Sequence, residues 1–107
     1  GPCLSLFSFH GRGTLNGVIP HPILVEIFEK VAKSKRLNLQ RSVASGILTD
    51  ASYVQFANKG IASIDIGFPM RYSHSSREVC NLKDLIDLKN LLIAVISKID
   101  KKIKLTR

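Results

Sequence analysis

The feature that most constrains this chain is the alternation of two periodicities along its 107 residues. Residues 4–9 (LSLFSF) alternate apolar and polar side chains with period two, the pattern of a strand. Leu24, Ile27, Phe28 and Val31 then recur at helical spacing behind Pro22, whose missing N–H is harmless in a first turn. That helix is predicted to end near Arg36. Residues 39–44 read as a second strand, with Leu39, Arg41 and Val43 on one face and Gln40, Ser42 and Ala44 on the other. Thr49 or Asp50 is expected to cap a short helix through Asn58, with Gly60 as its left-handed stop. Residues 61–66 (IASIDI) form the next predicted strand, closed by Gly67 and Pro69, and residues 71–77 a polar loop. Asn81 then caps a last helix running to about Ile99, with Leu82, Leu85, Leu88, Leu92 and Ile96 along its core face. Alternating strands and helices imply an α/β layered fold with a mostly parallel sheet and right-handed crossovers.

Composition narrows the function classes. Hydrophobic residues make up 45% of the chain, enough for a packed core. No apolar run approaches the roughly 20 residues that cross a bilayer, and no signal-peptide order opens the sequence. Cys3 and Cys80 follow no CxxC or zinc-finger spacing, and two isolated thiols point to a reducing, cytoplasmic setting. Gly1-Pro2 stands one step from a core strand, so a piece of a longer protein is expected.

The formal charge is +8. Much of it lies in Lys30, Lys33, Lys35 and Arg36 near one helix end and in Lys98, Lys101, Lys102, Lys104 and Arg107. Cations at helix C-termini complement the dipole, and no aromatic residue is interleaved with them to stack on bases. A membrane is not expected as a partner, and neither is nucleic acid. A basic nucleic-acid-binding fragment remains an alternative, marked by steep salt dependence.

Three motifs carry chemistry in principle. Gly11, Gly13 and Gly17 have the spacing GxGxxxG, with no GK[ST] and with Pro20 and Pro22 before the helix, so they read as a connector. Ser73-His74-Ser75-Ser76 with Asp65 supplies triad residue types, but neighbours in one loop do not converge as a triad does. His74 follows a predicted parallel strand, the edge where open α/β sheets bind ligands. A neutral imidazole there suits zinc or cobalt, although a loop histidine taken alone is more often a hydrogen-bonded surface residue. His10 and His21 form no metal-ligand pair and read as structural or solvated.

Thr49-Asp50-Ala51, Gly60-Ile61-Ala62, Pro69-Met70-Arg71-Tyr72-Ser73-His74-Ser75 and Glu78-Val79 together resemble the end of the tetrahedral aminopeptidase family. That family includes glutamyl and deblocking aminopeptidases and FrvX-like proteins, some labelled endoglucanases. Gly1-Pro2 resembles its GP-containing strand, so the likeness runs from Gly1 to about Ile99. The resemblance implies the C-terminal portion (residues 1–99) of a zinc-exopeptidase-type catalytic domain, part of a three-layer αβα sandwich, followed by a basic tail (100–107). It implies a dinuclear metallo-aminopeptidase acting on peptides with two divalent ions, zinc or cobalt, His74 being a ligand of one. No catalytic group is placed in this segment. The remaining ligands and the general base belong to a missing N-terminal part, so the chain alone is expected to be inactive. The resemblance also places Leu48, Thr49, Asp50 and Arg71 near the substrate pocket, with Leu48 where relatives have glycine. It implies a homo-oligomer, a dodecamer. A non-catalytic α/β interaction module is the competing reading.

Overall fold

A computed structural model describes residues 1–9 and 17–106. The expected connector over residues 11–17 lies largely outside this range, as does His10. Strand β1 (Cys3–Phe9) is the centre of the main sheet. Along one edge it pairs in parallel with β3 (Gln40–Ser45), from Cys3 opposite Gln40 to Phe9 opposite Ser45, with a register shift between Ser5 and Phe7. The other edge is shared by two short strands, both antiparallel: β2 (Gly17–Val18) opposite Ser8 and Phe9, and β4 (Ile66–Gly67) opposite Cys3 and Leu4. The sheet is therefore mixed, and its longest ladder is the parallel one.

Helices α1 (Pro22–Ser34) and α3 (Leu82–Ile96) pack on one face of this sheet. Leu4, Phe28, Val31, Ala32, Leu91 and Val95 form the buried core between them, with Leu39, Ile64 and Ile66 against it. Arg41 turns to the same side and pairs with Glu29 of α1 at 2.6 Å. Ser42 and Ala44 face the opposite side, so the expected alternation of this strand holds. Helix α1 stops where Arg36 takes the left-handed conformation (φ 55°), close to the predicted end.

Four expectations are corrected. Gly17 and Val18 are a strand rather than loop. Val18 is buried, and a Cβ on Gly17 would sit 2.1 Å from the Ser8 carbonyl oxygen, so the close return past β1 requires glycine. The strand predicted over 61–66 forms a ladder only at Ile66–Gly67, and that ladder is antiparallel. Upstream, the Ser63 carbonyl is taken by the His21 N–H at 2.9 Å, and β2 occupies the rest of that edge of β1. The short helix is α2 (Ala51–Val54). Asp50 precedes it without a side-chain cap, and the Thr49 hydroxyl bonds elsewhere. Turns carry the chain on to Gly60 (φ 90°). Finally, α3 buries Asp87, Leu91 and Val95, while Leu82 and Ile96 are 72% and 68% exposed. The core face of α3 is thus rotated from the predicted one, because apolar residues surround this helix and leave its facing ambiguous. On that face Asp87 is buried and accepts a hydrogen bond from Lys83 at 2.5 Å. Asn81 does cap α3, accepting the Lys83 N–H at 2.9 Å.

Among the described residues no helix is long and apolar enough to cross a membrane.

Candidate functional site

His74 belongs to a separate two-stranded unit. Strands β5 (Met70–Arg71) and β6 (Val79–Cys80) pair antiparallel, Met70 opposite Cys80 and Arg71 opposite Val79. Residues 72–78 are the loop between them. Two expectations change here: Arg71 is on a strand rather than in the loop, and the strand leading towards His74, β4, runs antiparallel to its neighbour.

The loop is built by its own polar side chains. Ser75 donates its hydroxyl to the Tyr72 carbonyl at 2.6 Å and accepts the Arg77 N–H at 3.3 Å. Glu78 accepts the backbone N–H of His74 at 2.8 Å. These bonds hold Tyr72 (φ 61°) and His74 (φ 63°) in the left-handed region. For residues with a Cβ this region costs about 1–2 kcal/mol each, and such outliers concentrate at functional loops. The His74 side chain projects into solvent, and among the described residues its ring makes no hydrogen bond.

Thr49 lies elsewhere, on the sheet face opposite α1 and α3. Its hydroxyl donates to both oxygens of the Asp65 carboxylate, at 3.1 and 3.3 Å. Asp65 is fixed by its backbone, whose carbonyl accepts the Ser5 N–H at 3.0 Å. Ser5, Ser42, Thr49 and Asp65, with Ile47 and Phe68, line a cleft of about 250 Å³. Leu48 and Asp50 are exposed and do not line it. Arg71 borders a different hollow, with Met70, Asn81 and Asp84. Of the predicted pocket residues, the structure therefore brings Thr49 to a cleft and sets Leu48, Asp50, Arg71 and His74 apart from it. Sequence reading missed Asp65 as the partner of Thr49, and missed Ser75 and Glu78 as supports of His74.

Among the described residues no three His, Cys, Asp or Glu side chains gather as a metal-binding group. The unpaired His74 imidazole fits the role of one ligand and no more, since a bound metal needs several donors.

Comparison with solved structures assigns the fold to the aminopeptidases. A TET aminopeptidase from the marine sediment archaeon Thaumarchaeota archaeon SCGC AB-539-E09 superposes with a TM-score of 0.82 and 29% identity, covering 95% of this chain and 27% of that one. Aminopeptidase APDkam598 from the archaeon Desulfurococcus kamchatkensis gives 0.83 and 34%, covering 92% and 27%. PhTET1-12s, solved as a dodecamer, shares the fold at 19% identity and a TM-score of 0.71. The chain belongs to the M42 glutamyl aminopeptidase family, whose model matches residues 9–91. An Escherichia coli K12 relative, "Putative aminopeptidase SgcX", is 39% identical over 95 residues, which are 89% of this chain. The chain spans 26% of that relative's length.

Proposed function

We propose that this chain forms the C-terminal part of the catalytic domain of a metal-dependent aminopeptidase, with His74 as a ligand of one of two divalent ions. One observation carries the reading. The 72–78 loop spends backbone strain and three side-chain hydrogen bonds to present an imidazole whose ring nitrogens are unclaimed among the described residues. A solvated surface histidine needs no such support.

Zinc or cobalt suits a neutral imidazole. When bound, such ions polarise a scissile carbonyl and lower the pKa of a coordinated water. The residues of this chain hold and orient: Glu78 and Ser75 fix the backbone beneath His74, and Thr49 fixes the Asp65 carboxylate. Leu48, Asp50 and Arg71 are assigned to the substrate side of the same enzyme, outside the cleft that Thr49 lines. Residues 1–99 are the catalytic-domain portion and 100–107 a basic tail beyond it. The parent works on peptides in the cytoplasm as a homo-oligomer, a dodecamer by family resemblance.

The test is His74→Ala in the full-length parent. Metal content should fall by one ion per chain, and peptide hydrolysis on the order of a hundredfold or more, since even indirect supports of a ligand are worth about 10–100-fold. Unchanged metal content and rate would remove His74 from the ligand set.

A further inference from the structure

We infer that the hollow where helices α1 and α3 end is a docking site for an acidic peptide segment of another protein, anchored by one apolar side chain. None of its lining residues belongs to the 70–80 unit, and the peptidase reading has no part in it.

Packed side by side, α1 and α3 bring their C-terminal ends to one hollow of about 540 Å³, within the roughly 300–1,000 Å³ of ligand pockets. Lys35 beyond α1 and Lys98 beyond α3 line it, together with Leu37, Asn90, Ile93 and Ala94. Lys33 and Arg36 lie beside Lys35 in the chain, and Lys101 and Lys102 follow Lys98. All six cations are exposed, and among the described residues none forms an ion pair. The one acid in these stretches, Asp100, accepts the backbone N–H of Lys102.

The helix ends do not use these side chains. The carbonyls of Val31, Ala32 and Lys33 take the N–H groups of Lys35, Leu37 and Arg36. The Ile93 carbonyl takes both the N–H and the hydroxyl of Ser97, and that of Val95 takes the N–H groups of Lys98 and Ile99. The ammonium groups of Lys35 and Lys98 therefore cap no carbonyl. Cations gathered without acids repel one another, and an anionic partner relieves that repulsion.

The apolar part of the hollow selects among anions. Ile93 is exposed, Leu37 and Ala94 are half-buried, and all three gain from being covered by an apolar side chain. A phosphate backbone offers no such group, and no aromatic side chain lines the hollow to stack on a base. The Asn90 amide, exposed and without a hydrogen bond among the described residues, can pair with a peptide group. A second copy of the chain is a poor occupant. It carries a charge of +8, and four of its eight acids are already in ion pairs.

The experiment is an amide-resolved NMR titration of the 107-residue chain with two capped peptides. One has glutamates around a single leucine, and the other has serine in place of that leucine. The leucine peptide should shift the amides of Leu37, Asn90, Ile93 and Ala94 saturably and bind about tenfold or more tighter than the serine peptide. Added salt should weaken both peptides and leave the preference for leucine in place. Lys35→Glu combined with Lys98→Glu should weaken the leucine peptide about tenfold, and Ile93→Ala should narrow the gap between the two peptides. Equal binding of the two peptides, shifts centred elsewhere, or no shift overturns the inference. So does tighter binding at the same amides by single-stranded DNA or by vesicles containing phosphatidylserine. The comparison on the natural chain decides even if a variant loses its dispersed spectrum. Because binding is read without hydrolysis, this inference and the peptidase reading fail separately.

Discussion

The facing of α3 can be tested with two truncations two residues apart. Leu91 is fully buried among Leu4, Phe28, Val31, Ala32 and Val95, whereas Ile93 is 57% exposed. Leu91→Ala removes buried methyl groups and leaves a cavity at the junction of sheet, α1 and α3, a loss of roughly 3–5 kcal/mol. A domain of this length has about 5–15 kcal/mol in total, so the variant forfeits about a fifth of its stability or more. Ile93→Ala removes side-chain atoms that already meet water, and its effect should stay under about 1 kcal/mol. Urea unfolding followed by circular dichroism reads the difference. With a slope of about 1–2 kcal/mol per molar, the Leu91→Ala midpoint falls by about 1.5–5 M and the Ile93→Ala midpoint by under about 1 M. Equal shifts, or a larger one for Ile93→Ala, would refute the assignment of the core face.

Other predictions address single interactions. His21 is 1% exposed with both ring nitrogens unpartnered among the described residues, so His21→Leu should leave the stability of this chain unchanged or raise it by about 1–3 kcal/mol in the same urea assay. Gly60→Ala forces a Cβ into a backbone with φ 90°, and a loss of about 1 kcal/mol or more is expected in thermal or urea melts. The hydrogen bond to Asp87, reinforced by the charge of Asp87, holds the Lys83 ammonium above its ordinary value of 10.5. A group raised in the folded state stabilises fully below its unfolded value and loses that contribution as pH climbs through the folded one. The α3 signal in circular dichroism should therefore be flat up to about pH 10 and decline only beyond 10.5, and Lys83→Met should abolish that alkaline step.

How far the sequence foretold the structure depended on whether a pattern had one reading or several. Residues 39–44 alternate without ambiguity, and β3 turns Arg41 to α1 and Ser42 and Ala44 away as expected. Pro22 marked the start of α1 because its ring favours a first turn. Helix α3 was located correctly and faced wrongly, since leucines and isoleucines at nearly every phase fit more than one core stripe. The 61–66 run has strand composition, but the direction of pairing is a tertiary property. The length of the ladder is tertiary too, since the His21 N–H takes the Ser63 carbonyl and β2 occupies the rest of that edge of β1. In the candidate site, the string around His74 was legible as a family resemblance. Its supports, Ser75 and Glu78, were not, because a loop's hydrogen bonds depend on φ values that spacing does not fix. The Thr49–Asp65 contact joins residues sixteen apart in sequence, with no periodicity linking them.

The outer side of β3 has a practical consequence. No described strand pairs there, so backbone donors and acceptors over six residues face outward, with Val43 70% exposed among them. Arg41, the one charge on that strand, is already tied to Glu29 and does not stand guard over the edge. A strand presented in this way acts as a template for any extended peptide that drifts past. Concentrated samples should thus lengthen sheet by sheet, and a lysine at Val43 is the simplest means of keeping molecules apart.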